Sequence, residues 1–349
     1  MIRVMIVDDS PVVTDLLTFI LESDPKIKIV ATAKDGYQAI EMALNTHPDV
    51  ITMDIYMPVM DGVEAIAKIM STNPIPTVIV STNVDPKETG EAFRALQAGA
   101  IAVCAKPQGP THPLFDVQSR AIVQTVKMAS EVKVVHRWEP MNRAHHLHAK
   151  TKEAFSTRED TIQIVAIGAS TGGPPVLCEI LSGLKKNFSA PILIVQHIAP
   201  GFLPGMVGWL KSSSGVSVEI ASEKIKLRPG HVYLAPDGFH MEALKPACIH
   251  LTRNAAENGM RPAISVLFRS VAANFDRSAI GILLTGMGKD GAAELLEMRN
   301  NGALTIVQDK KSSVVTGMPA ETDKLGAAQY VLPPAKITEM LNGRIGEME

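Results

Sequence analysis

Residues 1 to about 107 alternate five short apolar runs, each ending in a polar stop, with four stretches of helical spacing. The runs are Ile2–Val7, Lys28–Ala31, Val50–Met53, Pro76–Val80 and Ile101–Ala105. Helical spacing follows at about Val12–Leu21, Ala39–Leu44, Ala65–Met70 and Glu88–Ala98. Few architectures accept this pattern. Strands that alternate with helices pair in parallel, and the helices must cover both faces of the sheet.

The rhythm breaks after Lys106-Pro107. From Pro110 to about Asp160, a helical stretch at Ala121–Met128 gives way to polar sequence carrying His136, His145, His146 and His148. Irregular histidine spacing in a polar setting reads as a solvated linker rather than a metal site. Alternation resumes at Thr161, with strands expected at Ile162–Ile167, Ile192–Val195, Val232–Ala235, Ile280–Thr285 and Thr305–Val307. The expected organisation is therefore a flavodoxin-like (βα)5 domain at 1–107, a linker at 108–160 and a doubly wound, mostly parallel α/β domain at 161–345. In open sheets of this kind, ligands bind at the carboxyl ends of the strands.

Composition narrows the setting. Apolar residues make up 46%, charged residues 20%, and the net charge is -2. This is a globular composition without the basic footprint of a nucleic-acid binder. The cysteines, Cys104, Cys178 and Cys248, have no paired spacing and read as reduced thiols. No basic-then-apolar leader opens the chain. No apolar run approaches the roughly 18 residues of a membrane span. A cytoplasmic protein without membrane insertion is expected, with a monomer as its assembly.

Five polar groups stand at strand ends in the first half: Asp8, Asp9, Asp54, Ser81 and Lys106. A parallel sheet gathers those ends along one edge. Clustered carboxylates repel unless a cation relieves them, and oxygen ligands suit Mg²⁺. With a hydroxyl and an ammonium added, the set can stabilise phosphoryl transfer onto a carboxylate. Asp8-Asp9, the run Met53-Asp54-Ile55-Tyr56-Met57-Pro58-Val59-Met60-Asp61-Gly62, Ser81 and Lys106-Pro107 together resemble the receiver domain of response regulators. The resemblance implies Asp54 as phosphoacceptor, with a sensor histidine kinase as phosphodonor. Asp9, Asp54 and the backbone carbonyl of Tyr56 would ligate Mg²⁺ directly, Asp8 would act through water, and Ser81 and Lys106 would bind the phosphoryl group. Two residues depart from the common pattern. Val103 stands where many receivers carry an aromatic switch residue, and the bulky Tyr56 lies two positions after Asp54.

The second half holds a different chemistry. Its first strand runs into Gly168-Ala169-Ser170-Thr171-Gly172-Gly173, followed by a helical stretch at Pro175–Leu184. Such a turn can be a nucleophile elbow or a phosphate cradle. This turn carries neither G-x-x-x-x-G-K-[ST] nor a full G-x-G-x-x-G. Two more strands end at His197 and at Gly286-Met287-Gly288-Lys289-Asp290-Gly291. A serine hydroxyl needs a base to take its proton, and the base needs an acid to orient it. Serine, histidine and aspartate after three parallel strands supply that set. His231 and His240 are rival bases, and Asp237 and Asp309 rival acids. The chain order Ser, His, Asp is not that of the common α/β-hydrolases.

Ile167-Gly168-Ala169-Ser170-Thr171-Gly172-Gly173, Val195-Gln196-His197, Leu284-Thr285-Gly286-Met287-Gly288-Lys289-Asp290-Gly291 and Thr316-Gly317-Met318-Pro319 resemble the catalytic domain of chemotaxis protein-glutamate methylesterases. The likeness spans about 162–342. It implies Ser170 as nucleophile, His197 as general base and Asp290 as orienting acid, with support from Thr171 and with Met287 acting through the oxyanion hole. It implies methylated chemoreceptors as substrate, methanol as product, receptor glutamine deamidation as a second activity, and no cofactor for the esterase. It also implies that the unphosphorylated receiver packs on the esterase and hinders it. Ser265 departs from the family, where many members carry an acidic residue. Two other readings are a receiver-controlled transcription factor and an adaptor that has lost its chemistry. The first lacks a helix-turn-helix and a basic patch, and the second sits poorly with three intact catalytic residues.

Overall fold

The computed structural model describes residues 1–81, 86–132 and 162–345. The four linker histidines noted above lie outside them.

The N-terminal sheet has the order β2-β1-β3-β4-β5, all parallel, from β1 (Ile2–Val7), β2 (Ile27–Ala33), β3 (Val50–Met53), β4 (Thr77–Ser81) and β5 (Ala102–Ala105). Helices α1 (Pro11–Leu21), α2 (Gly36–Thr46), α3 (Gly62–Thr72), α4 (Pro86–Ala98) and α5 (Phe115–Ala129) complete it. The central strands are buried on both faces, which is why they read as continuous rather than alternating apolar runs. Asp35 and Asp61 start α2 and α3 by accepting the backbone N–H groups of Gln38 and Glu64 at 2.9 and 2.8 Å. The strand order reverses direction between β1 and β3, so Asp8, Asp9 and Asp54 flank the switch point.

Sequence periodicity placed a helix at Ala121–Met128 within the linker. As α5, that helix packs Ile122, Val126 and Ala129 against Val4, Ile6, Leu17 and Val80. The core of the first domain therefore runs past Pro107 to Ala129.

The second domain is built on a seven-stranded, wholly parallel sheet. Along the chain come β6 (Ile164–Ala169), α6 (Gly173–Ser182), β7 (Ile192–Gln196), α7 (Leu203–Ser214), β8 (Ser217–Ile220) and β9 (His231–Leu234). Then follow β10 (His240–Leu244), β11 (Cys248–Thr252), α8 (Ile264–Phe275), β12 (Ala279–Leu283), α9 (Ala292–Asn300) and β13 (Leu304–Gln308). The last elements are α10 (Gly317–Lys324), β14 (Tyr330–Leu332) and α11 (Pro334–Arg344). The order is β14-β13-β12-β6-β7-β9-β8, and β10 and β11 form a separate antiparallel hairpin. The switch point here lies between β6 and β12. Edge strands β8 and β14 and the hairpin were not expected from the sequence.

The two domains share an apolar seam. Helix α4 of the first packs on α6 and α7 of the second, and the Phe93 ring stacks on Trp209 at 5.4 Å between centroids. Gly205 lies close against α4: a methyl group added there would stand 2.1 Å from Thr89 Oγ1. Among the described residues, no helix is long and apolar enough to cross a membrane.

Candidate active site

Ser170 follows β6 at the switch point. Its N–H donates to the Thr285 carbonyl across the gap to β12 at 3.0 Å, and Gly173 N–H returns to the Ser170 carbonyl at 2.8 Å. The turn needs its glycines. Gly172 has φ +76° with Val314 close by, and a Cβ on Gly173 would lie 2.2 Å from Gln196 Oε1. The serine is thus carried on a tight strand-to-helix turn, buried but not sealed.

His197 stands one strand over. Its N–H donates to the Ala169 carbonyl at 2.9 Å. Gln196 Nε2 donates to the carbonyls of both Ser170 and His197, each at 2.8 Å, so one buried amide braces the serine-bearing and histidine-bearing loops. His197 Nε2 is 2.9 Å from Asp290 Oδ2. The carboxylate approaches off the N–H axis, so this is a close contact rather than an aligned hydrogen bond, and Nδ1 has no hydrogen-bond partner among the described residues. No hydrogen bond joins Ser170 Oγ to His197 among the described residues. Such contacts commonly tighten when substrate enters.

Asp290 is 4% exposed and closely held. Oδ2 accepts the Ile264 N–H at 2.7 Å, while Oδ1 accepts the Ser265 N–H at 3.1 Å, the Ser265 hydroxyl at 2.5 Å and Asn258 Nδ2 at 3.2 Å. Two of these donors are free N–H groups in the first turn of α8, where a helix favours negative charge. Burial alone would raise this carboxyl's pKa, but His197, Ser265 and the Ile264 N–H outweigh it and hold it at about 2.

The rival residues are occupied elsewhere. His240 is fully buried, its Nε2 facing the Ala255 carbonyl at 3.0 Å and its Nδ1 accepting the Ala263 N–H at 3.2 Å. His231 contacts Glu219 near the sheet edge at 3.3 Å. Asp237 accepts the Gly201 N–H at 2.8 Å, and Asp309 caps its own turn through Ser312.

The loop carrying Met287 is braced from behind. Gly286 N–H donates to Val315 at 3.1 Å, and Met318 N–H donates to Gly286 at 2.9 Å. A Cβ on Gly317 would stand 2.9 Å from both Gly286 O and Gly288 N. That fit gives the Thr316-Gly317-Met318-Pro319 run its place. Met287 itself is 47% exposed. The Thr171 carbonyl accepts the Thr285 hydroxyl at 3.0 Å. Gln196, Asn258, Ser265 and Thr285 were not expected as site residues. A polar residue ending an otherwise apolar strand was a usable signal for Gln196, whereas nothing local marks Asn258 in its exposed loop.

At the other switch point, ligand oxygens of Asp8, Asp9 and Asp54 lie within 4.8 Å of one another. Lys106 Nζ is 2.8 Å from Asp8 Oδ2 and 2.7 Å from Asp54 Oδ2. Burial raises the Asp54 pKa, and Lys106 offsets this only in part. For Lys106, burial acts to lower the pKa, but the two carboxylates raise it overall. Ser81 Oγ is buried without a hydrogen-bond partner among the described residues. One ammonium among three carboxylates leaves excess negative charge, and an all-oxygen donor set fits a hard divalent cation. Tyr56 is 45% exposed next to this pocket.

Comparison with known proteins identifies the family of each domain. Residues 165–341 match the family model of the CheB methylesterase, and residues 4–114 that of the response regulator receiver domain. A protein-glutamate methylesterase/protein-glutamine glutaminase of Nitrosospira multiformis is 49% identical over 99% of this chain and 98% of its own length. One of the same description from Geobacter metallireducens is 48% identical, with 98% of each chain covered. The crystal structure of the Thermotoga maritima CheB methylesterase catalytic domain aligns with TM-score 0.51 at 38% identity, covering 52% of this chain and 98% of that one. The chain belongs to the CheB methylesterase family, with a receiver domain joined to the esterase.

Proposed function

We propose that Ser170, His197 and Asp290 hydrolyse glutamate γ-methyl esters on chemoreceptors, under control of phosphorylation at Asp54. The observation that carries this is the Asp290–His197 contact beside Ser170 at the β6/β12 switch point. His197 takes the Ser170 proton as Oγ attacks the ester carbonyl. The tetrahedral intermediate's oxyanion is held by backbone N–H groups of the turn after Ser170 and of the Met287 loop. The C–O bond to the methoxy group breaks, and methanol leaves with the proton from His197. Water then attacks the acyl-enzyme with His197 as base again, releasing glutamate. A glutamine side chain follows the same path with ammonia as leaving group, which suits the two activities named in the relatives' descriptions. Asp290 keeps the imidazole oriented and stabilises its protonated form.

In the receiver, Asp8, Asp9, Asp54 and the Tyr56 carbonyl would hold Mg²⁺, which when bound neutralises charge on the transferring phosphoryl group. Asp54 accepts the phosphoryl group from a sensor kinase, and Ser81 and Lys106 bind its oxygens. The α4 seam over α6 and α7 supports a hindered resting state.

Methanol release from methylated receptor membranes, with and without acetyl phosphate and Mg²⁺, tests this reading. Release should rise with phosphorylation and disappear in Ser170→Ala. Release that persists in Ser170→Ala would overturn it.

A further inference from the structure

We propose that Ser265 is a positioning residue for the reaction, acting through Asp290; this rests on the assignment of Ser170, His197 and Asp290 given above. Its hydroxyl is committed on both sides. The Gly291 N–H donates to Ser265 Oγ at 3.1 Å, and Asn258 Nδ2 approaches the same oxygen at 3.4 Å. With its lone pairs so engaged, the hydroxyl hydrogen points at Asp290 Oδ1, 2.5 Å away. One side chain thereby closes a ring through Asp290 and Gly291, fixing both the carboxylate and the backbone that carries it.

The division of labour on Asp290 follows. Oδ1 takes the Ser265 hydroxyl, the Ser265 N–H and Asn258, while Oδ2 takes the Ile264 N–H and the His197 contact. The backbone donors anchor the carboxyl group to α8. The hydroxyl sets its rotation, because it is the short side-chain donor, and that rotation decides whether Oδ2 faces the imidazole. Ser265 is 2% exposed, so water cannot readily take the place of the lost hydroxyl. Asn258 is exposed and sits at the longest of the donor distances to the carboxylate, so it is the dispensable member. Ser265 itself touches no reacting atom.

The test uses the full chain and a fluorophosphonate probe that labels the activated serine, read as a saturation curve. Wild type should label and Ser170→Ala should not. Ser265→Ala should lose at least about tenfold in the maximal labelling rate at unchanged half-saturating concentration, as expected when Asp290 is no longer held to stabilise the imidazolium that forms in the transition state while probe binding is untouched. Ser265→Thr, which keeps a hydroxyl, should recover most of that loss. Thermal melting separates loss of fold from loss of rate. If wild type labels while Ser265→Ala labels at the wild-type rate, the positioning role is overturned and the nucleophile assignment stands. A loss of equal size in Ser265→Thr with an unchanged melting temperature also overturns it. Failure of wild type to label overturns the nucleophile assignment, and the positioning role with it.

Discussion

At the scale of single residues, the esterase site concentrates donors on one carboxylate. Asp290 has a folded pKa of about 2, below the ordinary 3.8. A depressed carboxyl stabilises the fold above its unfolded pKa and loses that contribution as pH falls through the folded value. The Asp290 contribution is therefore fully present at neutral pH and fades between about pH 4 and pH 2, on the order of 2 kcal/mol in all. Asp290→Asn is expected to be less stable than wild type in urea at pH 7. The gap should close as pH approaches that range, and a gap independent of pH would contradict it. The same variant should lose about 10³–10⁴-fold in esterase rate. Much of this site was legible in the sequence because Ser170, His197, Asp290, Asp54 and Lys106 each follow an apolar strand, and parallel strands bring their ends together. Ser265 and Asn258 were not. Their partner lies 25 and 32 residues away along the chain, and only the docking of the α8 N-terminus onto the Asp290 loop creates the contact.

At the scale of elements, α4 crosses α7 at the seam between the domains. Gly205 lies in α7, where its missing side chain lets Thr89 sit against the backbone. Alanine favours a helix over glycine by about 1 kcal/mol, so Gly205→Ala should not weaken α7 itself. It should instead wedge α4 away, because a methyl group does not fit 2.1 Å from a hydroxyl oxygen. Basal methanol release without a phosphodonor should rise severalfold, toward the phosphorylated rate. An unchanged basal rate would mean that this seam does not restrain the enzyme. The sequence made the buried strands plain, since they are continuous apolar runs. It hid β8 and β14 because a strand at a sheet edge has one neighbour, so its residues need not be apolar on both faces. It hid the β10–β11 hairpin because its two strands are of mixed polarity.

For the whole molecule, the receiver sheet divides its two faces between different neighbours. Met5, Val7, Ile51 and Ile79 face α2, α3 and α4, the side that carries the esterase. Val4, Ile6, Val78 and Val80 face α1 and α5, and the chain leaves the receiver from the end of α5. The surface that grips the esterase and the point of attachment are thus on opposite sides of one rigid layer. On the proposed restraint, detaching α4 leaves the α5 face untouched, so release and re-engagement are expected within one molecule. Activation by acetyl phosphate should accordingly follow first-order kinetics, with a half-time and a final stimulation that do not change when the protein is diluted tenfold, whereas dilution-dependent activation would place the restraint between molecules. On that proposal the inhibitory receiver acts at a constant local concentration, however dilute the protein.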